Sequence, residues 1–153
     1  MIEVRNGRHG KGLFATEPLP RGQVVLRGWG YRIPRRTRHS IQVDFDTHIR
    51  FPSDIELINH SCEPNCGIFH RRGSEVLEIH TLCHIEPDQE LTTDYASFEY
   101  EIVFMDGPCH CGTPSCRGRI TGYKDLPEDR RIAYGSYIAE YLQELDAAVS
   151  RAS

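Results

Sequence analysis

Three cysteines near the C-terminal end have the spacing of metal ligands. Cys109, Cys111 and Cys116 place three thiols within eight residues, around a Gly-Thr-Pro turn at 112–114. Thiolates bind zinc in closed tetrahedral sites, and such a site needs a fourth ligand. Six cysteines in a chain without a secretory signal indicate thiols or metal ligands more than disulfides. A redox pair in Cys-x-Cys is the alternative, but the third cysteine and the turn favour a metal site.

The run Asn-His-Ser-Cys-Glu-Pro-Asn-Cys at residues 59–66 is a second candidate site. Asn59 and Asn65 tolerate left-handed backbone conformations, and Pro64 fixes its own backbone angle while restricting the residue before it. The run therefore predicts a rigid bend that carries a thiol. The apolar residues at 55–58 predict a buried strand end that anchors this bend.

Length and charge limit the class of protein. A chain of 153 residues suits one domain, which buries roughly two-thirds of its unfolded surface. Eighteen basic and twenty-two acidic residues give a net charge of -4, which argues against binding nucleic acid mainly through phosphate neutralisation. A basic peptide is a better partner. The apolar runs are too short to cross a bilayer, and residues 1–5 lack the apolar core of a secretory signal.

Short strands must position these residues. Apolar or alternating runs between Gly, Pro and Asp predict strands at 13–15, 24–26, 40–45, 76–82 and 91–95. Gly7, Gly10 and Gly12 predict a loop whose backbone can approach a ligand closely, with a surface turn as the alternative. The polar segment 28–39 carries four arginines, which predict a solvated face; nucleic acid or an acidic partner is the alternative. The pattern indicates a mostly β fold.

The last part of the chain has helical spacing. Pro127 near a first turn and acidic residues at 128 and 129 predict the start of an amphipathic helix that continues to about Val149. Its apolar face would contain Ile132, Tyr134, Tyr137, Ile138, Tyr141, Leu142 and Leu145. We expect this face to pack on the core, with binding of a partner as the alternative.

Four stretches together resemble the SET-domain protein lysine methyltransferases. The run 59–66 is similar to the family's Asn-His-Ser-Cys-x-Pro-Asn signature, and residues 109–118 are similar to its post-SET cysteine cluster. The sequence Glu-Leu-Thr-Thr-Asp-Tyr at 90–95 lies between them in the family's order. The sequence Gly-Lys-Gly-Leu-Phe at 10–14 resembles its Gly-x-Gly cofactor segment. The resemblance spans about residues 5 to 120.

The resemblance implies a SET-domain fold of several small β-sheets. The segments around Asn59 and Tyr95 would be threaded past each other in a pseudoknot-like arrangement. The implied divisions are a SET domain at 1–107, a post-SET zinc-binding segment at 108–122 and a C-terminal helical extension at 123–153. A C-terminal α-helix completes the implied architecture.

The resemblance also supplies the fourth ligand of the metal site. The implied zinc ligands are Cys62, Cys109, Cys111 and Cys116. A closed site would hold the C-terminal segment over the bend, so that metal binding and completion of the active site would be one event. Cys66 and Cys83 would then be buried thiols.

The implied activity is transfer of a methyl group from S-adenosylmethionine to a lysine amine. A free lysine has a pKa of about 10.4, so roughly one molecule in a few thousand is neutral at pH 7. An aromatic channel beside the positive sulfonium would favour the neutral amine, and alignment would supply much of the rate. Tyr95 matches the family's catalytic tyrosine. We expect it to orient the reactants and to help electrostatically, not necessarily to abstract a proton.

The implied cofactor contacts come from four places in the chain. The glycine segment would meet the methionine end through its backbone, and the bend would hold the amino group and adenine. The glycine-segment residues are His9, Lys11 and Gly12, and the residues of the bend are Asn59 and His60. His39, directly before the strand at 40–45, is a further candidate. Ile120, past the zinc segment, could cover the adenine, and core packing suits it equally well.

Two positions depart from the family pattern. Gly28 stands where many relatives have the tyrosine of Tyr-x-Gly, and Thr93 stands where an aromatic residue often limits the number of methyl groups. The lysine channel would be roomier, or it would be rebuilt by Trp29, Tyr31, Phe98 or Tyr100. These departures motivate an alternative, a catalytically silent zinc-organised module that binds a basic peptide. A zinc or redox protein unrelated to methylation is a further alternative.

The expected partner is a basic peptide or protein that contains lysine. A histone-like tail is the family default, and a self or non-histone lysine is the alternative. We expect no direct binding of nucleic acid and no membrane. The expected compartment is intracellular and soluble, either cytoplasmic or, for a histone substrate, nuclear and associated with chromatin.

Overall fold

Short strands followed by two helices make up the structure, a computed structural model that describes residues 1–105 and 107–152. Asp106 and Ser153, which fall in the first and third predicted divisions, lie outside the described residues. The strands are β1 (Ile2–Gly7), β2 (Gly10–Ala15), β3 (Val24–Trp29), β4 (Tyr31–Ile33), β5 (Ile41–Asp44), β6 (Thr47–Arg50), β7 (Asn59–His60), β8 (Cys66–His70), β9 (Val76–Thr81) and β10 (Glu90–Thr93). The helices are α1 (Glu128–Tyr134) and α2 (Glu140–Ala152). A mostly β fold with a helical C-terminal part was predicted and is confirmed.

The first sheet brings the two candidate segments together. Its strand order is β1-β2-β10-β7; β10 pairs antiparallel with β2 and parallel with β7. Thr92 and Thr93 therefore lie beside Asn59 and His60. The chain then continues the pairing, because the Ser61 N–H donates to the Thr93 carbonyl at 2.9 Å. This close passage of two segments is the arrangement that the threading prediction requires.

The bend between β7 and β8 is held by side chains. Neither Asn59 nor Asn65 is left-handed, because Asp88 is the only described residue other than glycine with a positive φ. The Asn65 amide donates to the Glu90 carbonyl at 2.8 Å, and its oxygen accepts the Thr92 N–H at 2.9 Å. The bend is therefore fixed to β10 by amide hydrogen bonds, which the backbone argument did not predict.

Two antiparallel three-stranded sheets, with orders β3-β9-β8 and β4-β6-β5, complete the β structure. The strands predicted at 13–15, 24–26, 40–45, 76–82 and 91–95 lie on β2, β3, β5, β9 and β10. Strands β1, β4, β6, β7 and β8 were not predicted. β4 lies in the polar segment 28–39 and pairs with β6, and its residues are exposed or half-buried, so they show no apolar alternation.

Residues 55–58 do not form the strand end that was predicted. Residues Asp54–Leu57 form a 3₁₀ turn in which Ile55 is fully buried. The turn is fixed because the Glu56 carboxylate accepts two hydrogen bonds from Arg50, at 2.6 and 2.9 Å, and one from the Phe51 N–H at 3.1 Å. These hydrogen bonds of Glu56 hold the segment in a turn, so it does not pair as a strand.

Gly28 lies under this turn. A Cβ atom at Gly28 would lie 2.3 Å from Ile55 Cδ1 and 3.3 Å from the Ser53 hydroxyl oxygen. The space of the missing side chain is thus filled by Ile55. The departure at position 28 therefore reflects close packing between β3 and the turn, and it does not by itself open a channel.

The C-terminal helix is interrupted. Gly135 ends α1 with a φ of +51°, and a 3₁₀ turn at Gly135–Tyr137 leads to α2. The prediction of one helix to about Val149 is wrong in this respect, because the periodic apolar residues continue across a glycine that the chain uses as a stop. The predicted packing is confirmed for Tyr134, Ile138, Tyr141 and Leu142, which are at most 6% exposed, and it is wrong for Ile132, which is 75% exposed. No helix in the described ranges is long and apolar enough to cross a membrane.

Removal of residues 127–153 is expected to destabilise the domain strongly. Tyr134, Ile138, Tyr141 and Leu142 are all at most 6% exposed. The Tyr141 hydroxyl also donates to the Phe98 carbonyl at 2.5 Å, next to the candidate site. Loss of several buried large side chains, each worth about 2 to 4 kcal/mol, exceeds the stability of a typical domain. Thermal unfolding of the truncated chain would measure this, and a truncation that stays fully stable but inactive would contradict the core role.

Candidate active site and cysteine cluster

One cleft gathers most of the predicted catalytic and cofactor-binding residues. Its cavity volume is about 320 Å³. The predicted residues that line it are His9, Lys11, His39, Asn59 and Tyr95. Gly12, His60 and Ile120 are not among the lining residues. Lys11, Asn59 and Tyr95 meet at one surface because β10 lies between β2 and β7 in the first sheet.

Tyr95 begins a 3₁₀ turn directly after β10. Its hydroxyl donates to the Ile58 carbonyl at 2.8 Å, and its ring lies 5.7 Å from the Phe98 ring. Burial raises the pKa of the Tyr95 phenol to about 12, while Arg38 opposes the increase. The phenol is therefore neutral at pH 7 and has a fixed direction. This arrangement suits orientation of a reactant better than removal of a proton.

Asn59 and Gly12 form a close contact at the edge of the cleft. The Asn59 amide donates to the Lys11 carbonyl at 3.1 Å and to a Glu90 carboxylate oxygen at 2.7 Å. A Cβ atom at Gly12 would lie 2.2 Å from Glu90 Oε1 and 3.0 Å from Asn59 Nδ2. Only glycine leaves room for these two side chains, so Gly12 shapes the site without lining it.

His60 points away from the cleft. Its Nδ1 accepts the Tyr95 N–H at 3.2 Å, so Nε2 carries the proton and faces the Cys62 sulfur at 3.5 Å. Burial lowers the pKa of His60 to about 4, and Arg117 acts in the same direction against Asp94. The ring is neutral at pH 7. It connects the turn of Tyr95 with the cysteines, and its predicted cofactor contact stays a prediction.

The four predicted zinc ligands lie together. The sulfur atoms of Cys62, Cys109, Cys111 and Cys116 are all within 4.8 Å of one another. Cys62 Sγ and Cys109 Sγ are 3.9 Å apart, close to the sulfur–sulfur distance of about 3.8 Å in a tetrahedral zinc site. The Arg117 N–H points at Cys62 Sγ at 3.4 Å, and the Gly118 N–H points at Cys116 Sγ at 3.5 Å. Such donors stabilise thiolates, so the cluster could hold a zinc ion.

The remaining cysteines differ from each other. Cys66 is buried in β8, so the prediction of a buried thiol is confirmed, and burial raises the pKa of this thiol to about 12. Cys83 is exposed, and the same prediction is wrong for it. β9 ends at Thr81, so Cys83 lies on the connection that leaves the sheet.

A profile described as the SET domain matches residues 10–96 of the chain. This range contains the glycine segment, the bend of 59–66 and Tyr95. The chain belongs to the SET-domain family. The predicted SET fold is thereby confirmed, and the cysteine cluster beyond residue 96 matches the post-SET site that the resemblance implied.

This SET domain is similar to curated histone-lysine methyltransferases. It is 30% identical over 136 residues to "Histone-lysine N-methyltransferase, H3 lysine-4 specific" of Chaetomium globosum, which covers 75% of this chain. It is 32% identical over 137 residues to "Histone-lysine N-methyltransferase ATX2" of Arabidopsis thaliana, which covers 76% of this chain. The chain spans 12% of the length of each of these two relatives.

A solved structure has the same fold. The match is to KRYPTONITE in complex with mCHH DNA, H3(1-15) peptide and SAH, with a TM-score of 0.62 and 28% sequence identity. It covers 78% of this chain and 29% of that chain.

Sequence reasoning missed one wall of the SET-domain cleft. Four consecutive apolar residues line the cleft, and in the sequence they lie between Tyr95 and Cys109: Ile102, Val103, Phe104 and Met105. Val103 is 57% exposed and Phe104 is 46% exposed, so this wall is open to solvent. The sequence signal for this wall was the unbroken apolar run at 102–105, which has neither the period of a strand nor that of a helix. Of the aromatic residues proposed to rebuild the channel, Phe98 lines the cleft, whereas Trp29, Tyr31 and Tyr100 do not.

Glu99 is a second cleft residue that was missed. Its carboxylate accepts the Gln42 N–H at 2.9 Å. Burial raises the pKa of Glu99 to about 7, and the hydrogen bond from Gln42 and the charge of Arg36 only partly oppose this. The ordinary value is 4.5, so the folded SET domain holds this proton over a pH range in which the unfolded chain has lost it.

Glu99→Gln is expected to change how stability depends on pH. The contribution of protonated Glu99 is complete below pH 4.5 and is lost as pH rises through about 7. Glutamine stays neutral and keeps the acceptor oxygen for Gln42. The free energy of unfolding of the variant relative to the parent should therefore increase by about 2 to 3 kcal/mol between pH 5 and 8. Denaturant unfolding at several pH values measures this difference. A flat profile for Glu99→Gln would contradict the buried, proton-holding carboxyl.

Proposed function

We propose that the chain is a protein-lysine N-methyltransferase that uses S-adenosylmethionine and modifies a lysine in a basic, histone-like peptide. The observation that carries the proposal is the fixed Tyr95 hydroxyl at the wall of the cleft, bonded to the Ile58 carbonyl. The two curated relatives are named histone-lysine methyltransferases, and KRYPTONITE was solved with SAH and an H3 peptide. These names support the cofactor and the substrate class.

The side chains of the cleft fit S-adenosylmethionine. Lys11 and Arg38 supply cations for a carboxylate, and the apolar wall at 102–105 supplies a surface for adenine. The cavity of about 320 Å³ is within the size range of small-molecule sites. The proposed cofactor-binding residues are His9, Lys11, Gly12, His39, Asn59, His60 and Ile120, of which Gly12, His60 and Ile120 lie outside the cleft lining. When bound, the cofactor supplies an electrophilic methyl group on a positive sulfonium.

The chain's own residues would prepare the lysine. The half-buried ring of Tyr95 and the buried ring of Phe98 form an apolar surface on which an ammonium loses hydration, and loss of hydration lowers the pKa of a lysine. The Ile58 carbonyl oxygen and the Tyr95 hydroxyl oxygen are 2.8 Å apart, so together they can orient the lysine amine. Because the phenol is neutral at pH 7, Tyr95 orients and polarises, and the proton of the lysine leaves to solvent. Alignment of the reacting atoms supplies much of the rate.

The cysteine cluster would act as a structural zinc site. All four ligands are thiols, which leave no open coordination position for chemistry at the metal. The zinc would hold residues 109–118 against the bend that contains Cys62. The proposed divisions are a SET domain at 1–107, a post-SET zinc-binding segment at 108–122 and a C-terminal helical extension at 123–153.

Calorimetric titration of the zinc-loaded protein with S-adenosylmethionine and S-adenosylhomocysteine tests the cofactor. A mass-spectrometric methylation assay on histone mixtures tests the reaction and reports how many methyl groups are added. Binding together with a mass gain on lysine is the expected result. Binding of a basic peptide without binding of either nucleoside would instead select the catalytically silent module.

A further inference from the structure

Asp94 is a buried carboxylate directly before Tyr95. It is 1% exposed. Its Oδ1 accepts the Ala96 N–H at 3.1 Å and so caps the turn that carries Tyr95. Arg117 donates to both oxygens, each at 2.8 Å, and the Tyr134 hydroxyl donates to Oδ2 at 2.8 Å. The direction of the carboxylate, and with it the cap, is therefore set by the residues around it.

Arg117 contacts the cysteine cluster with its other end. It follows Cys116 in the chain, and its main-chain N–H points at the Cys62 sulfur at 3.4 Å. Its side chain is 13% exposed and reaches Asp94. A bidentate guanidinium–carboxylate pair has a fixed plane, unlike a single contact. One residue thus connects the position of the cysteine sulfurs with the turn of the proposed catalytic residue.

We propose that Arg117 and Asp94 are positioning residues that couple the four-cysteine cluster to the orientation of the Tyr95 hydroxyl. The proposal rests on the proposed methyltransferase function. The expected consequence is that metal in the cluster affects kcat through this pair. The cleft proposed to bind the cofactor is lined by Tyr95 but not by Asp94 or Arg117. A purely structural pair would instead change stability and leave the turnover of the folded protein intact.

Arg117→Lys is the first test, because lysine keeps the charge and the main-chain N–H to Cys62 but cannot bond to both carboxylate oxygens in one plane. Asp94→Asn is the second, because it keeps an acceptor for the Ala96 N–H and removes the charge. Arg72→Lys is the matched control, since Arg72 makes the same type of bidentate pair with Asp44, at 2.7 and 2.9 Å, outside the site.

Both site variants are expected to keep full zinc content and to bind S-adenosylhomocysteine within about threefold of the parent, while kcat falls by about tenfold or more because a small misplacement of a reacting group is costly. Arg72→Lys should leave kcat unchanged. Loss of zinc, or a change in KM alone, in folded Arg117→Lys and Asp94→Asn would overturn the proposal. If one variant does not fold, the other decides.

Hydrogen exchange gives a readout that does not need activity. The Ala96 N–H bonds to the Asp94 carboxylate and the Ser97 N–H bonds to the Asp94 carbonyl, at 3.1 and 2.9 Å. Removal of zinc from the parent with a chelator should accelerate exchange at both amides. In Arg117→Lys exchange should already be fast with zinc present, so the chelator should add little. An equal chelator effect in the parent and in Arg117→Lys would overturn the coupling even if the parent shows no methyl transfer, so the two proposals fail separately.

Discussion

Replacement of Tyr95 by phenylalanine is expected to lower kcat by about a hundredfold or more and to leave the affinity for S-adenosylmethionine within about threefold. The substitution removes one oxygen and keeps the ring that packs on Phe98. The lost group is the donor to the Ile58 carbonyl, which holds the phenol at the wall of the cleft. Single-turnover methylation and calorimetry measure the two quantities separately.

Tyr137→Phe is the matched control for this substitution. Its hydroxyl also makes a side-chain contact, at 3.2 Å from His80 Nδ1, but it lies outside the cleft lining. It should leave kcat within about twofold. Unchanged turnover in Tyr95→Phe would remove Tyr95 from the mechanism, and an equal loss in both variants would indicate a general effect on folding.

Replacement of Cys111 by serine is expected to release zinc and to loosen residues 109–120. The four sulfurs lie within 4.8 Å of one another, so one hydroxyl in place of a thiolate leaves three good ligands for a metal that takes four. We expect zinc affinity to fall by about a hundredfold or more. Atomic absorption gives the stoichiometry, and hydrogen exchange reports the order of the segment.

Cys83→Ser serves as the control because Cys83 is an exposed thiol outside the cluster. It should keep one zinc ion per chain and the exchange pattern of the parent. A Cys111→Ser protein with full metal content would refute the ligand assignment. Because metal binding in small sites is coupled to folding, the melting temperature of Cys111→Ser should also become insensitive to added zinc.

The confirmed predictions depended on local sequence patterns or on the family resemblance. The spacing of Cys109, Cys111 and Cys116 within eight residues predicted three of the four thiols that lie together. Cys62 was found through the family resemblance, since no spacing rule connects residue 62 with residues 109–116. The threaded passage of two segments was found in the same way.

The predictions that failed or were not made depended on tertiary contacts. The turn at Asp54–Leu57 forms because Glu56 bonds to Arg50, which no apolar pattern shows. The orientation of His60 toward Cys62 follows from the Tyr95 N–H, which only the parallel pair of β7 and β10 brings near. The break at Gly135 could have been read from the glycine itself, since helices commonly end there.

The pairing of β2 with β10 has a consequence for how the chain folds. Leu13 and Leu91 are partners across this pair, although 78 positions separate them in the sequence (91 minus 13). Contacts of such long range slow folding, because a large loop must close before any pairing energy is gained. During synthesis the free edge of β2 in the β1–β2 hairpin therefore stays unpaired until β10 has left the ribosome. An incomplete chain exposes that edge, and chaperone dependence and sensitivity to premature termination are the expected cellular signatures.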